Sequence, residues 1–301
     1  MKENFHAERE KVFEAGIAYS VAAVLPLLFS WALLNLIYLI TGKEGADAEW
    51  VRYLSYLLPQ IGIALSLLIF FRRTRMSPRE VYRPAKWQYF PIAIALAFGL
   101  LSLSGLNGLF VDWLAGNGYQ PASSPLPDVS GWYLLPALLV IALLPAIFEE
   151  SLFRGLQTVL RREGWGTLAT IFISGALFSL FHGNPEQTVY QFICGVCYAL
   201  VAIRSGSVFP TMVAHFCNNA LILTLTSFGI PDFPAAVKPW LYAISGVVLA
   251  AVLGYLIFFD KNNCGITQYN KKQKYFWGAG IGMFICAFEW VAVCIMGFGW
   301  I

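Results

Sequence analysis

Two adjacent acids interrupt an apolar stretch of this chain. Glu149 and Glu150 follow the apolar run 134–148, and Arg154 comes one helical turn later. A carboxylate in hydrocarbon is costly, so ionisable residues at such depth usually mark a functional site. Glu150 and Arg154 share a helix face and can pair, whereas Glu149 projects about 100° away from Glu150. Glu149 is therefore a candidate general base. The alternative is a structural ion pair near a helix end, with Glu149 reaching the membrane surface.

Two of the three histidines also fall in apolar segments. His182 ends the run that begins at Phe178, and His215 lies four residues before Asn219. Taken alone, His182 is typical of a packed or interfacial histidine, and His215 with Asn219 is typical of a polar contact between helices. Taken with Glu149, they could hydrolyse an amide. Glu149 and the histidines would activate water, directly or through a metal, and His215 with Asn219 would stabilise the oxyanion.

The composition places these residues in a membrane. The chain has 301 residues, of which 58% are hydrophobic and 12% charged, with a mean hydropathy of +0.64. Soluble domains carry about 25% charged residues, and a soluble core cannot hide this much apolar surface. The net charge of only +3 gives no reason to expect nucleic-acid binding. Cys194 and Cys197 form a C-x-x-C pattern, but within an apolar helix they are better explained as packing residues.

Nine apolar segments are candidate membrane helices, since a span needs about 20 such residues. They run approximately over 15–41, 53–71, 88–110, 132–160, 165–183, 187–203, 207–228, 239–259 and 275–300. With the N-terminus in the cytoplasm, every Lys and Arg lies on the inner side except Lys43, Arg52, Lys238 and the intramembrane Arg154, which favours this orientation. We therefore predict one all-α membrane domain over residues 1–301. Its N-terminus would lie inside and its C-terminus outside, with a cytoplasm-facing cavity among the fourth, fifth and seventh spans.

The polar residues also form three ordered motifs. The patterns Glu149-Glu150-x-x-x-Arg154, Phe178-x-x-x-His182 and His215-x-x-x-Asn219 resemble the signature of the CAAX-protease and bacteriocin-processing family, which are intramembrane endopeptidases. The resemblance covers about residues 132–228. Each motif alone is common, but all three in order on apolar helices are specific. The family core usually has eight spans, so the ninth predicted span lies outside the signature. It contains Glu289, which we interpret as a structural acid, with a cavity or partner contact as the alternative.

The resemblance implies a role for each motif residue. Glu149 would activate water with the help of His182, while Glu150 and Arg154 would support the site. His215 and Asn219 would form the oxyanion hole. The family has been described both as metalloproteases and as metal-free glutamate proteases. Glu149, His182 and His215 are therefore candidate ligands for a divalent metal such as zinc. The sequence leans away from zinc, because it has no H-E-x-x-H and its two histidines lie on different helices.

The leading hypothesis is an endopeptidase in the cytoplasmic membrane of a prokaryote. Its partners would be membrane lipids and a peptide or lipidated protein substrate. A non-catalytic scaffold or bacteriocin-immunity factor of the same fold is the first alternative, and a transporter with a proton relay is the second.

The depths of the motif residues conflict with a shared site. Measured from the inner ends of the predicted spans, Glu149 lies at ~16 Å, His182 at ~26 Å and His215 at ~12 Å. We expect helices to tilt, or the fourth helix to extend into the cytoplasm, if these residues meet.

Overall fold

The chain folds as a bundle of helices. The computed structural model describes residues 2–120, 126–156, 165–229, 234, 236–262 and 274–300, and within these ranges there is no strand. Nine helices there occupy the positions of the nine predicted spans: α1 (Lys2–Ala46), α2 (Glu49–Thr74), α3 (Tyr89–Gly116), α4 (Gly131–Gly155), α5 (Thr167–Phe181), α6 (Thr188–Ser205), α7 (Phe209–Ser227), α8 (Lys238–Gly254) and α9 (Lys274–Gly297). The prediction of an all-α polytopic bundle is confirmed. The predicted end of the fourth span, 157–160, lies outside the described residues.

Seven of these helices, rather than nine, are long and apolar enough to cross a membrane, as judged over the described residues. The two that fall short are α5, which has only 15 residues, and α7, which carries the polar groups of the third motif. At 1.5 Å per residue α5 is about 22 Å long. It ends at Phe181 because Gly183 takes a left-handed conformation (φ 58°) and Pro185 begins a separate turn.

The helix α4 alternates between α-helical and π-helical winding along its length. A π-helical segment, Leu138–Leu143, is followed by an α-helical segment, Leu144–Glu150, and then by a second π-helical segment, Ser151–Gly155. Pro145 follows the first π segment, as expected for a residue that lacks a backbone donor. Such π segments are frequent at functional sites. Glu149 and Glu150 therefore sit between a proline and a π turn.

Helices α2 and α7 flank α4 and supply the other sides of its environment. Around this centre, α1 packs on α2 and α9, α5 packs on α6, and α3 packs on α7 and α8. The start of α4 is tied to the start of α2, because the Tyr53 hydroxyl donates to the Asp128 carbonyl (2.7 Å) and the Asp128 N–H donates to Glu49 (2.9 Å). Hydrogen bonds from Ser130, the side-chain one being the larger cause, lower the pKa of the exposed Asp128 carboxyl.

Small residues allow α5 and α6 to approach closely. Gly195 lies against Gly175, so that a Cβ on Gly195 would be 2.8 Å from the Gly175 Cα. Helices in membranes commonly pack through small residues in this way, because their backbones can then come into contact. The crossing places the Gly195 carbonyl within reach of Arg154.

The loop between α2 and α3 closes the far end of α4. Ser77 and Glu80 form a capping box that begins a short 3₁₀ turn, Pro78–Glu80. Val81 packs under Gly155, where an added Cβ would be 2.5 Å from the valine Cγ1. The Tyr82 hydroxyl donates to the Ser151 hydroxyl at 2.9 Å. The loop between α2 and α3 therefore packs against the second π segment of α4 and is hydrogen-bonded to it.

Candidate active site

A buried ion pair on α4 is contacted by a histidine from α7. Arg154 Nη1 donates to Glu150 Oε1 at 3.0 Å, and both side chains are fully buried. The ion pair predicted from their spacing is present. His215 Nδ1 lies 3.0 Å from the same oxygen. A carboxylate only accepts hydrogen bonds, so His215 donates from Nδ1 and keeps Nε2 for another partner.

Aromatic rings and a backbone carbonyl surround the Arg154 guanidinium. Its Nη2 donates to the Gly195 carbonyl at 3.0 Å. Its Cζ lies 4.3 Å from the centre of the Phe178 ring and 5.3 Å from that of Tyr198. The Tyr198 ring also stacks on His215, with centroids 5.5 Å apart. This packing compensates a charge that would otherwise be very unfavourable in the interior.

Glu149 points away from this ion pair, toward α2 and α5. Its Oε1 accepts a hydrogen bond from Gln60 Nε2 at 3.2 Å. Its Oε2 is buried without a hydrogen-bond partner and lies 3.9 Å from His182 Nε2. The two neighbouring glutamates therefore face different surroundings, as their 100° separation on a helix predicts.

His182 is oriented by its own helix. Its Nδ1 lies 2.8 Å from the Phe178 carbonyl oxygen, which can only accept, so Nδ1 is the donor. In the neutral ring Nε2 is then an acceptor that faces Glu149. The motif spacing Phe178-x-x-x-His182 therefore places the histidine one turn after the carbonyl that fixes its tautomer.

His182 and Glu149 meet although their predicted depths differ. His182 follows a helix of only 15 residues, yet it comes within 3.9 Å of Glu149. The residue at the end of α5 thus meets α4 well inside the bundle. A polar turn, Pro185–Gln187, follows three residues after His182.

Asn219 bonds to α4 two turns before the acids. Its Nδ2 donates to the Ile141 carbonyl at 3.2 Å. In a regular α-helix that carbonyl would accept from residue 145, which is a proline and has no N–H. Pro145 therefore leaves Ile141 an acceptor that Asn219 uses, and His215 and Asn219 both face α4.

Sequence reasoning missed two residues of this site. Gln60 contacts Glu149 from α2, and Tyr198 stacks on His215 from α6. The signal for Gln60 was an amide directly after Pro59 inside an apolar run, where an unbonded amide is costly. Tyr198 gave no comparable signal, because a tyrosine in an apolar helix is common.

The candidate metal ligands do not assemble as a metal site. Among the described residues, no group of three His, Cys, Asp or Glu side chains is arranged to hold a metal ion. His215 bonds to Glu150 rather than turning to Glu149 and His182. These residues do not fit zinc, so no step below passes through a metal.

The segment that carries the three motifs matches a known protein family. Residues 131–221 match the Rce1-like family, described as type II CAAX prenyl endopeptidase. The resemblance predicted from the three motifs is confirmed over this segment. All seven motif residues fall within it, whereas Gln60 and Glu289 do not. Searches of curated proteins and of solved structures found no match. At the family level, the match supports a membrane-embedded CAAX-type protease.

Proposed function

We propose that the protein is an intramembrane endopeptidase in which Glu149 activates water without a metal. The observation that carries this proposal is the approach of Glu149 Oε2 to His182 Nε2 at 3.9 Å. This separation is too long for a direct hydrogen bond and suits a bridging water. Both atoms are acceptors, so one water donates a proton to each and presents its lone pair to a scissile carbonyl.

In the proposed reaction, Glu149 acts as the general base for hydrolysis of the amide bond. Glu149 takes a proton from water while the water oxygen bonds to the carbonyl carbon. The carbonyl oxygen becomes an oxyanion, which Asn219 Nδ2 and His215 Nε2 stabilise by hydrogen bonds. Because His215 already donates from Nδ1 to Glu150, Nε2 can donate as well only from the imidazolium form of the ring, whose charge then faces Glu150. The C–N bond breaks, and the proton on Glu149 passes to the leaving amine. The second proton of the water passes from the new carboxylic acid to the amine, so the products are a carboxylate and a protonated amine.

Glu150 and Arg154 act on this reaction through His215. The hydrogen bond from Nδ1 to Glu150 fixes the ring and leaves Nε2 for the substrate. Arg154 holds Glu150 in turn and is itself bonded to the Gly195 carbonyl. This chain of contacts joins α4, α6 and α7, so the ring nitrogen is held by three helices.

The proposed substrate is a lipidated protein or an apolar peptide with its cleavage site near the cytoplasmic membrane face. Prenylation of a C-terminal CAAX cysteine brings such a sequence to the membrane. The description of the matched family supports a CAAX sequence as the first substrate to test. A prokaryotic cytoplasmic membrane remains the proposed location.

The test is cleavage of a quenched-fluorescence CAAX peptide with a farnesylated cysteine by purified protein in nanodiscs. Glu149→Gln removes the charge at constant shape, so we expect cleavage to fall below detection while the protein remains folded. Asp112→Asn, which removes an exposed acid on α3, is the matched control and should cleave normally. Wild-type turnover by Glu149→Gln would contradict the role of the base. If the wild type cleaves neither this peptide nor its unprenylated form, the non-catalytic scaffold is favoured.

A further inference from the structure

A glutamine outside the matched segment contacts the proposed base. Gln60 lies on α2, 89 residues before Glu149, and is 5% exposed. Its Nε2 donates to Glu149 Oε1 at 3.2 Å. Its own Oε1 is buried and has no hydrogen-bond partner among the residues that the structure describes. The hydrogen bond described for the Gln60 amide is therefore the one that it donates to the Glu149 carboxylate.

The hydrogen bond from Gln60 determines which oxygen of the Glu149 carboxylate faces His182. The terminal torsion of a glutamate is broad and roughly two-fold, so packing alone defines it weakly. With Oε1 held by Gln60, Oε2 is the oxygen that lies 3.9 Å from His182 Nε2. A base must be held in reach of the proton it removes, because small displacements are costly in rate.

A purely structural role explains the amide poorly. An apolar side chain of similar length would fill the space between α2 and α4 without leaving a buried acceptor unbonded. A buried amide is unfavourable unless it is hydrogen-bonded, and half of this one is not. The group is therefore better explained by what it does to Glu149 than by helix packing.

We propose that Gln60 is a positioning residue that orients Glu149 for water activation. This inference rests on the proposed function. It adds a residue from α2 to a site whose motif residues all lie on α4, α5 and α7 or at their ends. Gln60 acts through Glu149 and has no direct contact with the substrate.

The experiment compares Gln60→Met and Gln60→Glu with wild type, using the farnesylated peptide in nanodiscs. Gln60→Met keeps the length of the side chain and removes the donor. We expect kcat to fall on the order of tenfold or more, the size of losing one hydrogen bond to a charged group, with KM within about twofold. Gln60→Glu keeps the shape and adds a like charge beside Glu149, so its kcat should fall at least as far.

The matched control is Gln191→Met, the same change on α6. The Gln191 amide bonds only weakly to Gln187 (3.4 Å), away from Glu149. Size-exclusion profiles and thermal unfolding in the same nanodiscs check the fold, and Gln60→Glu is decisive if Gln60→Met does not fold. An unchanged kcat in the folded Gln60 variants overturns the proposal, and so does a change confined to KM. If Glu149→Gln retains activity, the proposed function fails first, whatever Gln60 does.

Discussion

Adjacent glutamates in this protein hold their charge in different ways. Glu150 is fully buried and shares one oxygen between Arg154 and His215. Glu149 has no cation bonded to it and leaves one oxygen unbonded beside His182. A carboxylate paired with a cation is a poor base because the cation stabilises its charged form, whereas a carboxylate without a bonded cation can more readily accept a proton from water. This difference supports the proposal that Glu149 is the base and that Glu150 only positions its neighbours.

Removing Arg154 should destabilise the protein strongly. Arg154→Met leaves the Glu150 charge buried without its partner, and breaking a buried pair costs about 3–5 kcal/mol. We expect the free energy of unfolding to fall by that amount, measured by denaturant titration in mixed micelles. Arg52→Met is the matched control. Its pair with Glu49 is 35% and 37% exposed and should contribute less than about 1 kcal/mol. Equal losses in the two variants would contradict this account.

Asn219 should affect the chemical step. Asn219→Ala removes a proposed oxyanion donor, and such losses lower kcat by roughly 10²- to 10³-fold. Steady-state kinetics on the farnesylated peptide measure the effect. A rise in KM with an unchanged kcat would assign Asn219 to substrate binding instead.

Contacts within one helix were easier to predict from the sequence than contacts between helices. The i, i+4 pair Glu150–Arg154 was predictable, because its geometry is local to one helix. The end of α5 was predictable from Gly183 and the polar residues that follow Phe181. Its short length was not, because the predicted span 165–183 is four residues longer than the observed helix of 15 residues. The contact of Gln60 with Glu149 joins residues 89 apart, and no periodicity specifies which helix faces α4. The expectation that Glu149 and His182 meet came from the scarcity of polar residues on these apolar helices, and the family resemblance supported it.

The crossing of α5 and α6 should tolerate no added methyl group. Gly195→Ala places a Cβ 2.8 Å from the Gly175 backbone, so the helices must separate and the Arg154 acceptor must move. We expect a loss of about 1–3 kcal/mol in the free energy of unfolding, as for overpacked cores. Gly108→Ala on α3 is the control, because nothing lies within 4 Å of an added Cβ there. That variant should be unchanged or more stable by about 0.5–1 kcal/mol. Equal stability of both variants would show that the crossing is not tight.

The whole molecule bears on whether a metal takes part. Among the described residues no set of side chains is arranged for a metal ion, and His215 is committed to Glu150. We therefore expect full activity after dialysis against a strong chelator, with cleavage of the farnesylated peptide as the readout. Loss of activity on chelation, with recovery on adding zinc, would return Glu149, His182 and His215 to the role of ligands.

The family match covers the three motifs and leaves most of the described helices outside it. Helices α1, α2, α3, α8 and α9 lie wholly or almost wholly outside residues 131–221. Composition was enough to predict that these helices form a membrane bundle. Their packing order was not predictable, because apolar faces are interchangeable in lipid and small residues decide which helices approach. Gln60 shows that one of these outer helices reaches the candidate site.

The length of α5 has a consequence for the surrounding lipid. A helix of about 22 Å is shorter than the roughly 30 Å hydrocarbon layer, so its mismatch is relieved by local thinning of the bilayer or by polar ends lying below the headgroups. The end at His182 carries a turn rich in polar groups, Asn184, Glu186 and Gln187. Hydrolysis consumes water, and a thinned leaflet beside this turn shortens the route by which solvent enters. We therefore expect the rate of peptide cleavage to depend on the acyl-chain length of the lipids. It should be higher in thin bilayers than in thick ones.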